Sequence, residues 1–582
     1  MKTLYKIAMI TAFAGIQSAL AQKKDENIGT EVVNVVKPYT PTISDAFKVK
    51  ETPVIEDDEN TKKEEIKYNI FSYPVASTFS PAKGKAATVD REERKKYFSN
   101  YVTLAAGNYG TINGEAFVTH NLDDTQYVAA LLRHLSSQGN IDGVALDNNF
   151  STNGLDLTYG NRQKEYTWKT DLGYQRQVYN WYGLDYTSFD ETLINSIDPK
   201  QTYNTVYAGA QFSARNSFFH EAQIQYKRFW DGFDSAENRF FITPDFDVKI
   251  GKEKVKVGVV ADYVGGDFAK DYTGVTDLSY SVFNLGIQPS ILYQRADTSV
   301  QFGAGVFYSI GKQNGASDNK FFIYPQIKAS HKLVGDLMVV YAGAEGGLKQ
   351  NSYADFVGQN PFVSPTLTPV TPTNQQYDLY LGLKGKLASP VSYNLRASYL
   401  SEDDKAFFLS NNPLGLAPAA DYFGYQYGNS FGLVYSNLKT FSFFGELKAD
   451  FSNTVTAGIN GTYYGYSTDL AEAWNMPSIK VGATLDIDIN EKWNAGTNLF
   501  FVGDRKDVKW IASVDDTAFY TSEVVTLKSY FDANAHVSYK YSDRLTGFVK
   551  LNNIANQNYQ RWQNYQVQGF QFLLGATYKF NL

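Results

Sequence analysis

From Tyr97 to the end of the chain, apolar and polar positions alternate with a period of two. In VQFGAGVFYSI (300–310), Val300, Phe302, Ala304, Val306, Tyr308 and Ile310 share one face, and Gln301, Gly303, Gly305 and Ser309 the other. YFDANAHVSYKY (530–541) alternates more sharply. Phe531, Ala533, Ala535, Val537, Tyr539 and Tyr541 oppose Tyr530, Asp532, Asn534, His536, Ser538 and Lys540. VSYNLRASYL (391–400) sets Val391, Tyr393, Leu395, Ala397 and Tyr399 against Ser392, Asn394, Arg396 and Ser398. This period predicts strands with one apolar and one polar face.

A soluble sandwich would also alternate, but three features argue for a membrane barrel. Many strands run ten to fifteen residues, and Tyr and Phe gather near strand ends, as in interfacial girdles. Connections also alternate between short and long. Short turns fall at Gly251–Lys254, Arg295–Thr298, Asn490–Lys492 and Ser542–Arg544, and long loops at 182–201, 263–278, 351–373, 406–440 and 507–520. Candidate strands begin near 100, 112, 126, 149, 165, 203, 219, 239, 255, 280, 299, 319, 337, 375, 391, 441, 455, 477, 494, 522, 545 and 569. FGLVYSNLKT (431–440) would add one more. An odd count leaves the termini on opposite sides, so it goes to the outer loop or to the next strand. The fold class expected is therefore an all-β, antiparallel transmembrane barrel of about 22 strands, occupying 97–582.

Composition narrows the picture. Aromatics make up 15% of 582 residues, with 43 Tyr and 40 Phe, which suits a chain with two interfacial girdles. A net charge of −7 gives no sign of a nucleic-acid partner. The absence of cysteine excludes disulfides, thiolate metal sites, cysteine nucleophiles and a lipidated N-terminal cysteine.

The N-terminus reads as a secretory signal. Lys2 and Lys6 precede a short apolar run from Ile7 to Ile16, and Ala19-Leu20-Ala21 forms a cleavage site that would leave Gln22 first. The signal would be 1–21 and a proline- and charge-rich periplasmic arm 22–96, of which ETPVIEDDENTKKEEIK (51–67) is a charge run. No later stretch is apolar enough for a membrane helix, so a membrane-embedded form must be a closed barrel.

The last segment resembles the C-terminus of TonB-dependent outer-membrane receptors. Those barrels end in an alternating strand, a strand entering an Asn-rich turn, and a final strand closing in an aromatic. Here LTGFVKLNNIANQNY (545–559) carries Asn552, Asn553, Asn556 and Tyr559, and the last strand carries Gly575, Tyr578 and Phe580, then Asn581 and Leu582. The resemblance implies a 22-stranded barrel inserted by the barrel-assembly machinery, with Gly575, Tyr578 and Phe580 in its recognition signal. Receptors of that family also carry a plug of well over a hundred residues, for which 22–96 is too short. The wide lumen should then be filled by the arm, by inward-folded loops or by another protein. EVVNVV (Glu31, Val32, Val33, Asn34, Val35, Val36) resembles a TonB box, an extended strip that engages its partner by strand addition. TonB, another periplasmic protein or no partner remain open for it, and a surface lipoprotein is a further candidate partner.

Enzyme chemistry leaves little trace. There is no G-x-S-x-G, H-E-x-x-H or P-loop pattern. DIDIN (486–490) resembles the start of a calcium loop but has Glu491 where glycine is needed; strand spacing puts Asp486, Asp488 and Asn490 on the lumen face. His134 with Ser136 and Ser137 is the nearest Ser/His pairing. We therefore expect no enzyme, cofactor or metal. Arg396, Lys540, Asp532, His536 and Lys579 should line the lumen. The aromatic loops YADFVGQNPFVSPTLTPVTP (353–372) and APAADYFGYQYGNSF (417–431) are the better functional candidates. The expected function is solute binding or transport at the surface. The alternative is a barrel subunit of an assembly, secretion or surface complex that docks a periplasmic partner through the arm; an open porin is a third reading. The final strand should place Phe570 to Leu582, even positions, against lipid, with Gln571, Thr577, Lys579 and Asn581 inward, and pair with the first strand near 98–109.

Overall fold

The computed structural model describes residues 97–582, except 186–188, 216, 252, 415–421 and 513–519. The signal segment, the arm and EVVNVV lie outside the described residues.

The long strands pair antiparallel, each with its sequence neighbours in the wall, and close into one ring of 22. The seam joins Asn100–Gly107 to Gln571–Phe580, with Asn100 opposite Phe580 and Thr103 opposite Thr577. Across it the hydroxyls of Thr103 and Thr577 lie 2.8 Å apart, and the Ser99 N–H donates to Asn581 Oδ1 at 2.9 Å. Closure leaves no unpaired strand edge, which a bilayer would not tolerate.

The register fixes the faces. Leu104 pairs with Ala576 and with Gly114, so even positions of the first, second and last strands point outward together. Propagated around the ring, this puts Leu132, Leu172, Phe302, Phe321, Ile323, Leu381, Phe443 and Leu574 on the outer face. Leu574 and Leu104 are both 64% exposed, Phe321 61% and Ile323 67%. A continuous apolar belt of this kind is stable against lipid rather than water. Near the short turns it ends in an aromatic chain from Tyr166 through Phe212 and Phe219 to Phe246. The inner face is polar, with cross-strand ion pairs such as Arg133–Asp156 and Arg396–Asp378, both at 2.5 Å. Asp532 and His536 also face inward, the latter 3.3 Å from Asn494 Oδ1.

The short turns fall where the sequence puts them. Several strands depart from expectation at the other end. Phe431–Ser452 is one continuous strand, so FGLVYSNLKT extends the next strand. Val391–Ser410 runs beside it, and residues 405–410 pair with 431–436 beyond a bulge, which shortens the expected 406–440 loop to 411–430. The 263–278 loop shrinks because Glu253–Phe268 pairs to its last residue with Leu278. The strand expected near 522 is not in the wall. Tyr520–Leu527 pairs with Arg505–Ala512 as a separate hairpin, and Tyr530–Lys540 takes the wall position beside Trp493–Val502. The sharper alternation of 530–541 suits a wall that needs one lipid and one wet face.

Candidate functional site: a lid of loops across the barrel mouth

The long loop 350–372 turns inward. Ser352 Oγ accepts the Asp355 N–H at 3.1 Å and starts the helix Tyr353–Gln359, whose Tyr353, Phe356 and Val357 are buried. Two wall carboxylates hold this helix. Glu237 accepts the N–H groups of Tyr353 (2.6 Å) and Ala354 (3.3 Å) and the Tyr280 hydroxyl (2.5 Å). Asp231 accepts the Tyr353 hydroxyl at 2.8 Å and the N–H groups of Phe233 and Ser235 at 2.8 and 3.0 Å. Free donors at a helix start suit a carboxylate, and the hydrogen bonds compensate its burial. The rings of Phe229 and Phe268 stand edge-on to Tyr353 at 5.1 and 5.0 Å. Arg239 adds an ion pair to Asp355 at 2.9 Å while held by Asp262 at 2.7 Å.

Loops from opposite walls meet above this helix. Trp181 follows the fifth wall strand and Tyr425 the fifteenth, ten strands apart (15 − 5) in a ring of 22 and so nearly diametric. Their rings lie 5.3 Å apart, and Asn429 Nδ2 donates to the Trp181 carbonyl at 2.7 Å. Tyr565, from the last loop, ties three others together. It stacks on Phe362 at 3.7 Å, stands edge-on to Tyr182 at 4.8 Å and donates its hydroxyl to the Asn429 carbonyl at 2.5 Å. Gly183 makes room for it, since a Cβ there would lie 2.2 Å from the Tyr565 ring. The 505–527 hairpin joins through Arg505, which donates to the carbonyls of Gln560 (2.6 Å) and Arg561, and through Trp510 to the Ser410 carbonyl at 2.9 Å. Burial pushes the hydroxyls of Tyr353 and Tyr565 well above the usual tyrosine range, so both remain protonated donors.

The arrangement is an aromatic, largely dry layer bridging the mouth, with a wet, charge-lined lumen beneath. It offers ring stacking and hydrogen bonding rather than covalent chemistry. Among the described residues no three His or carboxylate side chains gather as a metal site.

The sequence candidates fall in different places. Loop 353–372 is the centre of the lid, and the described part of 417–431 is its opposite half. The Asn-rich motif roots the last lid loop. Asn553 and Asn556 take left-handed φ of 45° and 48°, which asparagine tolerates. Asn556 Oδ1 accepts the Phe570 N–H at 2.7 Å, and Tyr559 stacks on Tyr530 at 3.9 Å while donating to Asp532 at 2.7 Å. Gly575 sits in the seam, where a Cβ would lie 2.6 Å from Ala105 Cβ. Tyr578 and Phe580 stack on the outer face at 6.2 Å. Asp486 and Asp488 face inward, but Asn490 lies in the turn and caps the N–H groups of Lys492 and Trp493 at 2.9 and 3.0 Å, so the three do not act together. His134 does contact Ser136 (3.1 Å) and also Asn153 (2.7 Å), on the outer face. The backbone N–H groups of those strands are committed to the ladder. Glu31–Val36, Ala19, Ala21 and Gln22 lie outside the described residues. Sequence reasoning missed Asp231 and Glu237, whose place on an alternating strand looks like any wet lumen position.

The siderophore receptor PirA from Acinetobacter baumannii matches with a TM-score of 0.60 at 14% identity, over 83% of this chain and 80% of PirA. The pyoverdine outer-membrane receptor FpvA from Pseudomonas aeruginosa matches at 0.60 and 12%, over 84% and 80%. The FrpB iron transporter from Neisseria meningitidis matches at 0.62 and 11%, over 83% and 82%. This chain has the barrel fold of outer-membrane siderophore receptors. Those neighbours are transport receptors, not enzymes. No protein-family model matches the chain, and no curated protein matches it in sequence.

Proposed function

We propose that this protein is an outer-membrane receptor-like barrel of a Gram-negative bacterium that binds a solute at its extracellular lid and admits it to the lumen. The observation that carries this reading is the lid, where loops from nearly opposite walls join through Trp181, Tyr425, Phe362 and Tyr565. A mouth bridged by its own loops argues against a permanently open pore, and aromatic rings with inward donors suit recognition of a solute. The fold likeness to receptors for iron chelates supports uptake. In this reading residues 1–21 direct export and the arm at 22–96 engages a periplasmic energising partner by strand addition at Glu31–Val36.

An affinity pull-down of the full chain from native outer membranes tests it. A TonB homologue or a surface lipoprotein among the partners is the expected result. Assembly or secretion components in their place would instead support the subunit role.

A further inference from the structure

Few charged side chains stand on the outer face. The register assigns an outward or inward direction to the wall positions, and outward carboxylates are almost absent around the whole ring. Lys200, Lys312 and Lys439 are exposed outward cations at the lid end of separate strands, whereas two exposed arginines, Arg176 and Arg228, stand within one register step of each other across the strand between them. Arg176 lies opposite Asn153 and Asn204, and Arg228 opposite Val206 and Asn238. Arg228 Nη1 donates to Asn238 Oδ1 at 3.1 Å, which also accepts the Tyr226 hydroxyl at 2.8 Å. The Tyr174 hydroxyl donates to Asn204 at 3.0 Å. Arg176 has no side-chain partner among the described residues.

Height decides what these cations meet. Tyr166 lies in the aromatic girdle near the short turns, and Arg176 stands ten residues along the same strand toward the lid (176 − 166). At about 3.3 Å per residue and a tilt of about 40°, that is roughly 25 Å, the height of a barrel's apolar band. Both arginines therefore stand just beyond the band, each two residues past a tyrosine, at the level of the outer headgroups. At mid-bilayer an arginine costs about 2–4 kcal/mol; near the interface the cost is close to zero. There its fork of donors matches phosphate oxygens.

We propose that the stripe centred on Arg176 and Arg228 binds the phosphate of an outer-leaflet lipid whose headgroup carries net negative charge, with Asn204 and Asn238 positioned beside it by the two tyrosines. This rests on the membrane reading above, and it concerns the wall, not the lid.

The test places the full chain in phosphatidylcholine nanodiscs doped with phosphatidylglycerol, and reads the lipid retained on the protein by native mass spectrometry. Charge-assisted contacts of this kind predict a phosphatidylglycerol preference of about tenfold, falling to about twofold or less in Arg176→Gln/Arg228→Gln. Arg176→Lys/Arg228→Lys should keep part of it. Folded-barrel migration on unheated gels should match wild type, so that the loss is not unfolding. Equal retention of both lipids, or an unchanged preference in the Gln variant, would overturn the proposal. Displacement of the lipid by an equal concentration of glycerol phosphate would mark a soluble-anion site and overturn it too. Failure of the wild-type protein to enter the disc would overturn the membrane reading, and this proposal with it.

Discussion

The wall and the lid are built on opposite plans. The wall is repetitive and local: each strand pairs with its sequence neighbours, and the outer face is apolar because the inner is wet. The lid is irregular and long-range. Tyr565 touches residues contributed by three other loops, and Trp181 meets Tyr425 across more than two hundred residues of sequence. A wall residue is therefore specified by its parity and height, a lid residue by particular partners. Damage to the wall should threaten insertion and stability of the whole barrel. Damage to the lid should free a loop and leave the barrel standing.

That contrast can be broken experimentally. The largest effect should come from Tyr565→Ala, where removing a buried aromatic costs about 3–5 kcal/mol, confined to the lid. Limited proteolysis should cut the loops around 362, 429 and 565 while the folded barrel band persists on unheated gels. Loss of that band would show that lid and wall are one cooperative unit. Next is Leu574→Arg on the outer face of the last strand, expected to destabilise the barrel by about 2–4 kcal/mol in urea titrations from lipid vesicles. The inward neighbour Thr577→Arg should cost less, and equal costs would erase the distinction between the faces. Phe580→Asp should lower the surface level of the protein, read by labelling of intact cells, because Phe580 closes the seam opposite Asn100 and stacks with Tyr578. Normal surface levels would remove it from the assembly signal. The smallest effect is that of Tyr353→Phe, which leaves Asp231 without one donor and should loosen the 350–372 loop by about 1–2 kcal/mol. Hydrogen exchange in residues 353–359 should rise, with wall amides unchanged.

The same contrast explains what the sequence revealed. Period two exposed the wall, including the closing pairing of Gln571–Phe580 with Asn100–Gly107, because parity is a local property and lipid demands it. The strand expected near 522 failed for a related reason. TSEVVTL has strand propensity, but what removed it from the wall was its pairing with Arg505–Ala512, a choice of partner that propensity does not encode. The aromatic loops were recognisable as candidates by composition. Their inward fold was not, because it depends on Asp231 and Glu237, acidic residues on wet strand faces that differ from other lumen positions only in what approaches them. Asn553 and Asn556 lie between these cases: their residue type signalled a turn, while their role in seating the last lid loop emerged from the Phe570 N–H and the Gln568 carbonyl they hold.

Loops from opposite walls close the mouth of the barrel. Planar-bilayer recording of the purified full chain tests this closure most directly, comparing wild type with a variant in which residues 353–370 are replaced by a short glycine–serine linker. We predict no stable conductance for wild type and large, long-lived openings for the variant. A wild-type protein that conducts as a wide open pore, or a variant as silent as wild type, would show that these loops do not seal the barrel.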